Sequence, residues 1–277
     1  MRLATIQDGA RTRAARVEGA EYVELDAPDV GALLAEPGWR ERARAADGKR
    51  YGTGDVRLAP VTPNPGKIVC VGLNYRKHIL EMGRELPEYP TLFAKFADTL
   101  IGAEDDILAP RESEAVDWEA ELAIVLGATV RRADAESAAA AIAGFTVLND
   151  VSMRDWQFRT REWLQGKNFE SSTPIGPVLV TPDELPGEVR PRLAIGTEVN
   201  GERMQQAQTD DLVFDPVRLV QYVSTMVSLR PGDVVASGTP GGVGHARTPA
   251  RYLRAGDRVV TEIENIGRLD NRVRADS

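Results

Sequence analysis

Hydrophobic and polar positions alternate from Glu119 to Leu126. Glu119, Glu121, Ala123 and Val125 fall on one side, and Ala120, Leu122, Ile124 and Leu126 on the other. A period of two marks a β-strand, whose successive side chains point to opposite faces. Lys67 to Leu73 and Thr91 to Phe96 are apolar runs that read as further strands, with a short helix or turn over Arg76 to Gly83 between them. Asp134 to Ala143 is alanine-rich, with a capping aspartate near its start and Gly144 at its end, which predicts a capped helix leading into a strand over Phe145 to Asp150. Asn200-Gly201, between Ala194 to Val199 and Glu202 to Gln206, predicts a type I′ hairpin. Asp215-Pro216 reads as an N-cap followed by proline at the first helical position, and Leu219, Val220, Val223, Met226 and Val227 recur at helical spacing.

With Asp233 to Ser237 and Arg258 to Ile263 as additional strands, the chain is strand-rich with few helices: an α+β class, not alternating βαβ units. Residues 1 to about 60 carry weaker signals, and Pro60, Pro63 and Pro65 punctuate their end. The expected organisation is a small N-terminal domain over 1-62 and a larger domain over 63-277.

Composition narrows the function classes. The 277 residues hold 34 Lys+Arg against 42 Asp+Glu, a net charge of -8, with no basic run. Nucleic acid is not expected as a partner, because phosphate binding needs clustered cations. No apolar stretch approaches the roughly 18 residues of a membrane span. Met1 to Ala10 carries Gln7 and Asp8 where a signal peptide needs an apolar run, so the expected location is cytoplasmic. The single Cys70 lies in the apolar run Ile68 to Leu73 and reads as an inert buried thiol. With only His78 and His245, a zinc site of several His and Cys ligands is excluded. G-x-S-x-G, H-E-x-x-H and the Walker A pattern are absent, and Ser237 to Gly244 does not fit G-x-G-x-x-G.

The remaining chemistry lies in carboxylates and a few cations. Strand geometry puts Glu119 and Glu121 on one face about 6.5 to 7 Å apart, beside Ala123 and Val125. Buried there, they need a cation or hydrogen-bond donors; otherwise the strand end is solvated. Asp150 closes the neighbouring apolar strand, so three carboxylates can converge. An oxygen-only ligand set suits Mg²⁺ or Mn²⁺, or Ca²⁺ in a larger cage. Lysine is scarce, only Lys49, Lys67, Lys77, Lys95 and Lys167. Lys95, flanked by phenylalanines, and Lys167 are the candidates for compact charges aimed at an anion, against a bland reading as snorkelling surface lysines. His78 and Glu81, three apart, are neighbours on a helical turn and could form either a water-activating dyad or a surface ion pair. His245 reads as a loop residue.

Together, Val71-Gly72-Leu73-Asn74-Tyr75 before His78, Asp117-Trp118-Glu119-Ala120-Glu121-Leu122, Asn149 to Gln157, Gly166-Lys167 before Thr173-Pro174-Ile175-Gly176-Pro177, and Pro231-Gly232-Asp233-Val234 before Ser237 to Gly244 resemble the fumarylacetoacetate hydrolase family. The resemblance runs from about residue 66 to the C-terminus. It implies a mixed β-roll catalytic domain behind a small N-terminal domain, and a homodimer. It implies metal ligands at Glu119, Glu121 and Asp150, a water-activating pair at His78 and Glu81 on a lid, and a catalytic-site lysine at Lys167. Arg154, Gln157, Gly238 and Thr239 match substrate-holding positions, and Lys95 a lysine near the pocket. Phe96-Ala97-Asp98-Thr99 and Ser237 depart from the family pattern, which leaves the distal pocket open.

The reaction expected from this set is metal-dependent hydrolysis of a carbon-carbon bond in an acylpyruvate-like 2,4-diketo acid, giving pyruvate and a carboxylic acid. The partner is then a small anionic 2-oxo acid. An enolate-stabilising site also suits oxaloacetate decarboxylation, or isomerase or hydratase chemistry on a 2-oxo acid in aromatic catabolism. A small-acid binding protein with a structural cation, or a purely structural oligomer, are the non-enzyme readings.

Overall fold

Ala120–Leu126 forms a strand with strands on both sides and covered faces above and below, in a computed structural model that describes residues 1–276. It pairs antiparallel with Ile142–Asn149 on one side and Val234–Ala236 on the other. Leu122, Ile124 and Leu126 enter one core with Phe145, Val147 and Val220, whereas Ala123 and Val125 enter a second core with Cys70, Leu148 and Ile175. The alternation in the sequence therefore separates two buried faces, not an inside from an outside. A solvated strand end is not what Glu119 and Glu121 occupy, since they are 7% and 1% exposed.

The strand belongs to a twelve-stranded sheet. Ile68–Gly72 lies parallel to Val234–Ala236, and Thr91–Lys95 closes that edge. In the other direction Ile142–Asn149 pairs with Thr173–Val180, which pairs antiparallel with Arg2–Asp8. Through that pairing the N-terminal meander of Arg2–Asp8, Arg11–Glu18, Glu21–Glu24 and Arg50–Gly52 extends the same sheet. A five-stranded sheet curls over it, in the order Glu202–Gln208, Ala194–Val199, Arg258–Ile263, Gly267–Ala275 and Ile107–Ala109. The mixed sheets with few helices are the α+β roll expected from the sequence.

Local signals translate directly at most sites. The Asn200-Gly201 turn joins its two strands with both residues at positive φ, 53° and 82°, as a type I′ turn demands. Asp215 caps Pro216–Met226 by accepting the Arg218 N–H at 3.0 Å. Asp134 likewise caps Ala135–Ala141 through Ser137 N–H at 2.8 Å, and Asp134→Ala should lower stability by about 1 kcal/mol in urea unfolding. The C-terminal end of that helix differs from expectation. Gly144 is not its cap but a strand residue, because the chain turns into Ile142–Asn149 at once. A Cβ on Gly144 would meet the Val180 carbonyl oxygen at 2.3 Å, so glycine serves close strand approach here.

Candidate active site

Strand register assembles the carboxylates. Ala120 faces Asn149 across the antiparallel pair, so Glu119 and Asp150 meet just beyond its end, where the Asp150 N–H donates to the Glu119 carbonyl at 2.9 Å. The Asn149 Oδ1 accepts the Glu119 N–H at 2.9 Å and fixes the same corner. Ala123 faces Ala236 on the other flank, which carries the chain to Gly238 beside Glu121. Gly238 has φ of +97°, and a Cβ there would lie 2.8 Å from the Val71 carbonyl oxygen. Its N–H donates to Glu121 Oε2 at 2.8 Å. Glu119, Glu121 and Asp150 each present an oxygen, and the three lie within 4.8 Å of one another.

Three buried cations surround two of these carboxylates. Lys167 Nζ lies 2.7 Å from both Glu119 Oε2 and Asp150 Oδ2, over the Phe93 ring. Lys95 Nζ donates to Asp150 Oδ1 at 2.8 Å and to the Val151 carbonyl at 3.2 Å. Arg154 reaches Glu119 Oε1 at 2.6 Å and Asp117 Oδ2 at 2.8 Å. Although desolvation opposes ionisation of Asp150, the Lys167 and Lys95 ammonium groups prevail and hold its carboxyl down to about 2. Glu121 is the exception, with no cation paired to it among the described residues. Burial first, then Asp150 and Glu119, push its carboxyl well above the usual range.

An uncompensated buried carboxylate beside two others is the feature a divalent cation would satisfy, so these residues fit the metal expected from the sequence. Oxygen-only donors favour a hard ion of the Mg²⁺ or Mn²⁺ kind without selecting one.

A cavity of about 310 Å³ opens beside two of the carboxylates, with Glu119, Glu121, Arg154, Gln157, Lys167 and Thr239 on its wall, whereas Asp150 is fully buried and does not line it. Phe93 and Trp163, whose ring centroids lie 5.6 Å apart, form its apolar side. Two close approaches make room for this arrangement. A Cβ on Gly166 would stand 2.4 Å from Gln157 N, so glycine lets the short Leu164–Lys167 turn press on Arg154–Gln157 and deliver Lys167. A Cβ on Gly72 would overlap the Trp163 ring.

His78 comes from the helix Arg76–Glu81 and also lines the cavity. Its Nδ1 lies over Gly241, 3.0 Å from an ideal Cβ position, with Glu81 Oε2 at 3.6 Å from the same point. The two side chains flank one glycine without a hydrogen bond between them. Burial lowers the His78 pKa, against the opposing pull of Glu81 and Glu119. The imidazole is therefore neutral near pH 7.

Two expected substrate contacts sit elsewhere. Lys95 is not on the cavity wall; with its ammonium on Asp150 and Val151 it is an internal counter-ion behind the triad, because its strand runs along the sheet edge with the side chain turned inward. Gly238 acts through its N–H on Glu121. Three contributors lay outside the sequence expectations. Gln205 Oε1 accepts the Ala120 N–H at 3.0 Å while its Nε2 donates to Thr239 Oγ1 at 2.9 Å, which ties the roll to the glycine-rich loop. His245 is a loop residue as read, but it also borders the cavity.

The third is Asp117. Its Oδ1 accepts the Gly244 N–H at 2.7 Å, and its Oδ2 accepts the His245 N–H at 2.9 Å and the Arg154 Nε–H at 2.8 Å. Asp117→Asn places an amide against those donors. We expect a loss of about 3 to 5 kcal/mol in urea unfolding, the usual cost of breaking a buried ion pair.

Comparison with known proteins agrees with this geometry. The model of the fumarylacetoacetate (FAA) hydrolase C-terminal family matches residues 67–274. The chain is 46% identical over 218 residues to the mitochondrial oxaloacetate tautomerase FAHD2B of Bos taurus, covering 78% of this chain and 68% of that protein. That name lends no support to a cytoplasmic location; among the described residues, no helix is long and apolar enough to cross a membrane. Fumarylacetoacetate hydrolase from psychrophilic Exiguobacterium antarcticum superposes with a TM-score of 0.89 at 32% identity, covering all of both chains. The 5-carboxymethyl-2-hydroxymuconate delta-isomerase of Mycobacterium smegmatis does so at 0.83 and 31%, again over all of both. Hydrolase, isomerase and tautomerase thus share this scaffold, and the chain belongs to the fumarylacetoacetate hydrolase family of enzymes.

Proposed function

We propose that this chain is a divalent-metal-dependent enzyme that stabilises the enolate of a small 2-oxo acid, with keto-enol exchange of oxaloacetate as its reaction. The observation that carries the proposal is the buried Glu119, Glu121 and Asp150 triad with the Lys167 ammonium against Glu119 and Asp150, and with Glu119, Glu121 and Lys167 on one cavity wall. Identity to a tautomerase across most of the chain favours oxaloacetate among the 2-oxo acids.

A metal held by Glu119, Glu121 and Asp150 would supply Lewis-acid stabilisation of charge on the 2-oxo oxygen. Neutral His78 takes a proton from C3; the C–H electron pair becomes the C2–C3 double bond, and the carbonyl pair moves to oxygen. Lys167 adds a fixed positive charge where that negative charge develops. Gln157, whose Oε1 accepts from Arg154 at 2.8 Å, keeps its amide N–H groups for the substrate carboxylate. Return of the proton from His78 to oxygen completes the exchange.

The base assignment has a pH signature. Because burial holds the His78 pKa below its ordinary value of 6.5, kcat/KM should fall on the acid side only below that pH. Glu81 stabilises the imidazolium, so Glu81→Gln should move this limb to lower pH. A shift to higher pH, or none, would remove Glu81 from its place beside the base.

Acylpyruvate hydrolysis is the second reading. It is favoured by a further chamber of about 160 Å³ on the other side of His78, bordered by Glu81, Gln206 and Asp211, which offers a place for attacking water. Four assays separate the readings: enol-oxaloacetate decay by ultraviolet absorbance, and pyruvate release from oxaloacetate, acetylpyruvate and fumarylpyruvate, each with Mn²⁺ and with EDTA. Metal-dependent enol decay without pyruvate supports tautomerisation. Pyruvate from the diketo acids supports hydrolysis, and pyruvate from oxaloacetate alone supports decarboxylation. No turnover with metal bound would leave a binding role. The homodimer is proposed with this reading and is checked by light scattering.

A further inference from the structure

The cavity wall also carries two polar side chains, His245 and Arg84, that the chemistry above does not use. His245 stands at its rim, with Nδ1 2.9 Å from the Tyr252 hydroxyl and its ring 5.0 Å from that of Phe158. Arg84, just after the His78 helix, borders the same cavity. When Tyr252 O–H donates to Nδ1, the imidazole proton resides on Nε2 as an available donor.

The position of His245 is also tied to the inner end. Asp117 Oδ2 accepts both the His245 backbone N–H and the Arg154 Nε–H. One carboxylate oxygen, itself fully buried, thereby fixes the separation between the outer donor and the guanidinium that borders the triad. An acid anchored at the triad by its 2-oxo carboxylate end would have His245 and Arg84 in the same cavity as polar partners for its other end.

We propose that His245, oriented by Tyr252 and set in place by Asp117, is a specificity-determining residue that recognises the distal carboxylate of a 2-oxo dicarboxylic acid. Arg84 supplies the accompanying charge. The inference rests on the proposed oxaloacetate site and adds the residue that reads the distal carboxylate and so sets the preference for a diacid over a monocarboxylic 2-oxo acid. A hydrogen bond to a charged partner contributes more than a neutral one.

The test compares oxaloacetate with its 4-methyl ester, which keeps the skeleton and removes the distal charge. Affinities for the Mn²⁺-loaded protein are measured by calorimetry, so the comparison needs no turnover. The native chain should prefer the diacid by about tenfold or more, the scale of one charged hydrogen bond of roughly 1.5 to 3 kcal/mol. His245→Val should bring the ratio of the two affinities toward one, Tyr252→Phe should reduce it partly, and His245→Gln, which retains a donor, should restore part of it. An unchanged ratio in His245→Val, or equal loss on both ligands, would overturn the assignment. If neither ligand bound the metal-loaded native protein, the 2-oxo acid reading would fail and this inference with it. Binding of both ligands with no preference for the diacid would sink only the inference.

Discussion

Glu121→Gln should abolish metal-dependent turnover while leaving the metal-free protein at least as stable as the native chain. The carboxylate is 1% exposed and, among the described residues, has the Gly238 N–H as its one hydrogen-bond partner and no paired cation. The amide is nearly isosteric and uncharged, so it removes the repulsion from Asp150 and Glu119 together with a ligand oxygen. Losing the metal's contribution of several kcal/mol means a rate fall on the order of a thousandfold.

The stability effect has a definite sign. The folded-state pKa of Glu121 is raised well above 4.5, so this group favours folding below the unfolded value and loses that contribution as pH climbs toward and through the raised one. Metal-free native protein should therefore gain stability from this group on acidification from pH 7 toward 5, and Glu121→Gln should not. Thermal unfolding in EDTA and in Mn²⁺ checks both halves. A native-like rise in Tm on adding metal to Glu121→Gln would show that this carboxylate is not a ligand.

Lys167→Met should strongly destabilise the metal-free fold and cripple turnover. It leaves Glu119 Oε2 and Asp150 Oδ2, each 2.7 Å from the ammonium in the native chain, facing one another in a buried site. Removing one partner of a buried pair costs about 3 to 5 kcal/mol. Lys95 on Asp150 and Arg154 on Glu119 remain and limit the loss. Bound metal should recover part of that stability, since a cation again separates the carboxylates. It should not recover turnover, which we expect to fall by about 10² to 10³ with the loss of the fixed charge at the developing enolate. Urea unfolding with and without Mn²⁺, beside single-turnover enol decay, measures the two effects. Native turnover in a stably folded, metal-loaded Lys167→Met would contradict the role given to this residue.

The triad was legible because its geometry is local to two adjacent strands. Glutamates two apart on an apolar strand must share a face, and an aspartate ending the next strand meets them once the pair is antiparallel. The capped helices and the Asn200-Gly201 turn were legible for the same reason: each signal lies within four residues of what it controls. Lys95 shows the limit, since a short strand motif cannot reveal whether an inward ammonium faces a cavity or a carboxylate behind it. Asp117 and Gln205 act through hydrogen bonds to loops far along the chain, and no spacing rule encodes those. The strands at the N-terminus gave weak signals because their buried residues include small ones, Ala4, Ala14 and Ala15, and because Arg2–Asp8 finds one of its partners only at Thr173–Val180. His245 borders the cavity only through the path that Asp117 imposes on its loop.

The central claim is that a metal on Glu119, Glu121 and Asp150 turns this cavity into an enolate-stabilising site. Its most direct test is the rate of enol-oxaloacetate decay as Mn²⁺ is titrated into EDTA-stripped protein, beside calorimetric binding of Mn²⁺ to the same preparation. The account predicts that rate and binding saturate together in the native chain and that both vanish in Glu121→Gln. Catalysis at full rate in the stripped protein, or Mn²⁺ binding that never alters the rate, would contradict it.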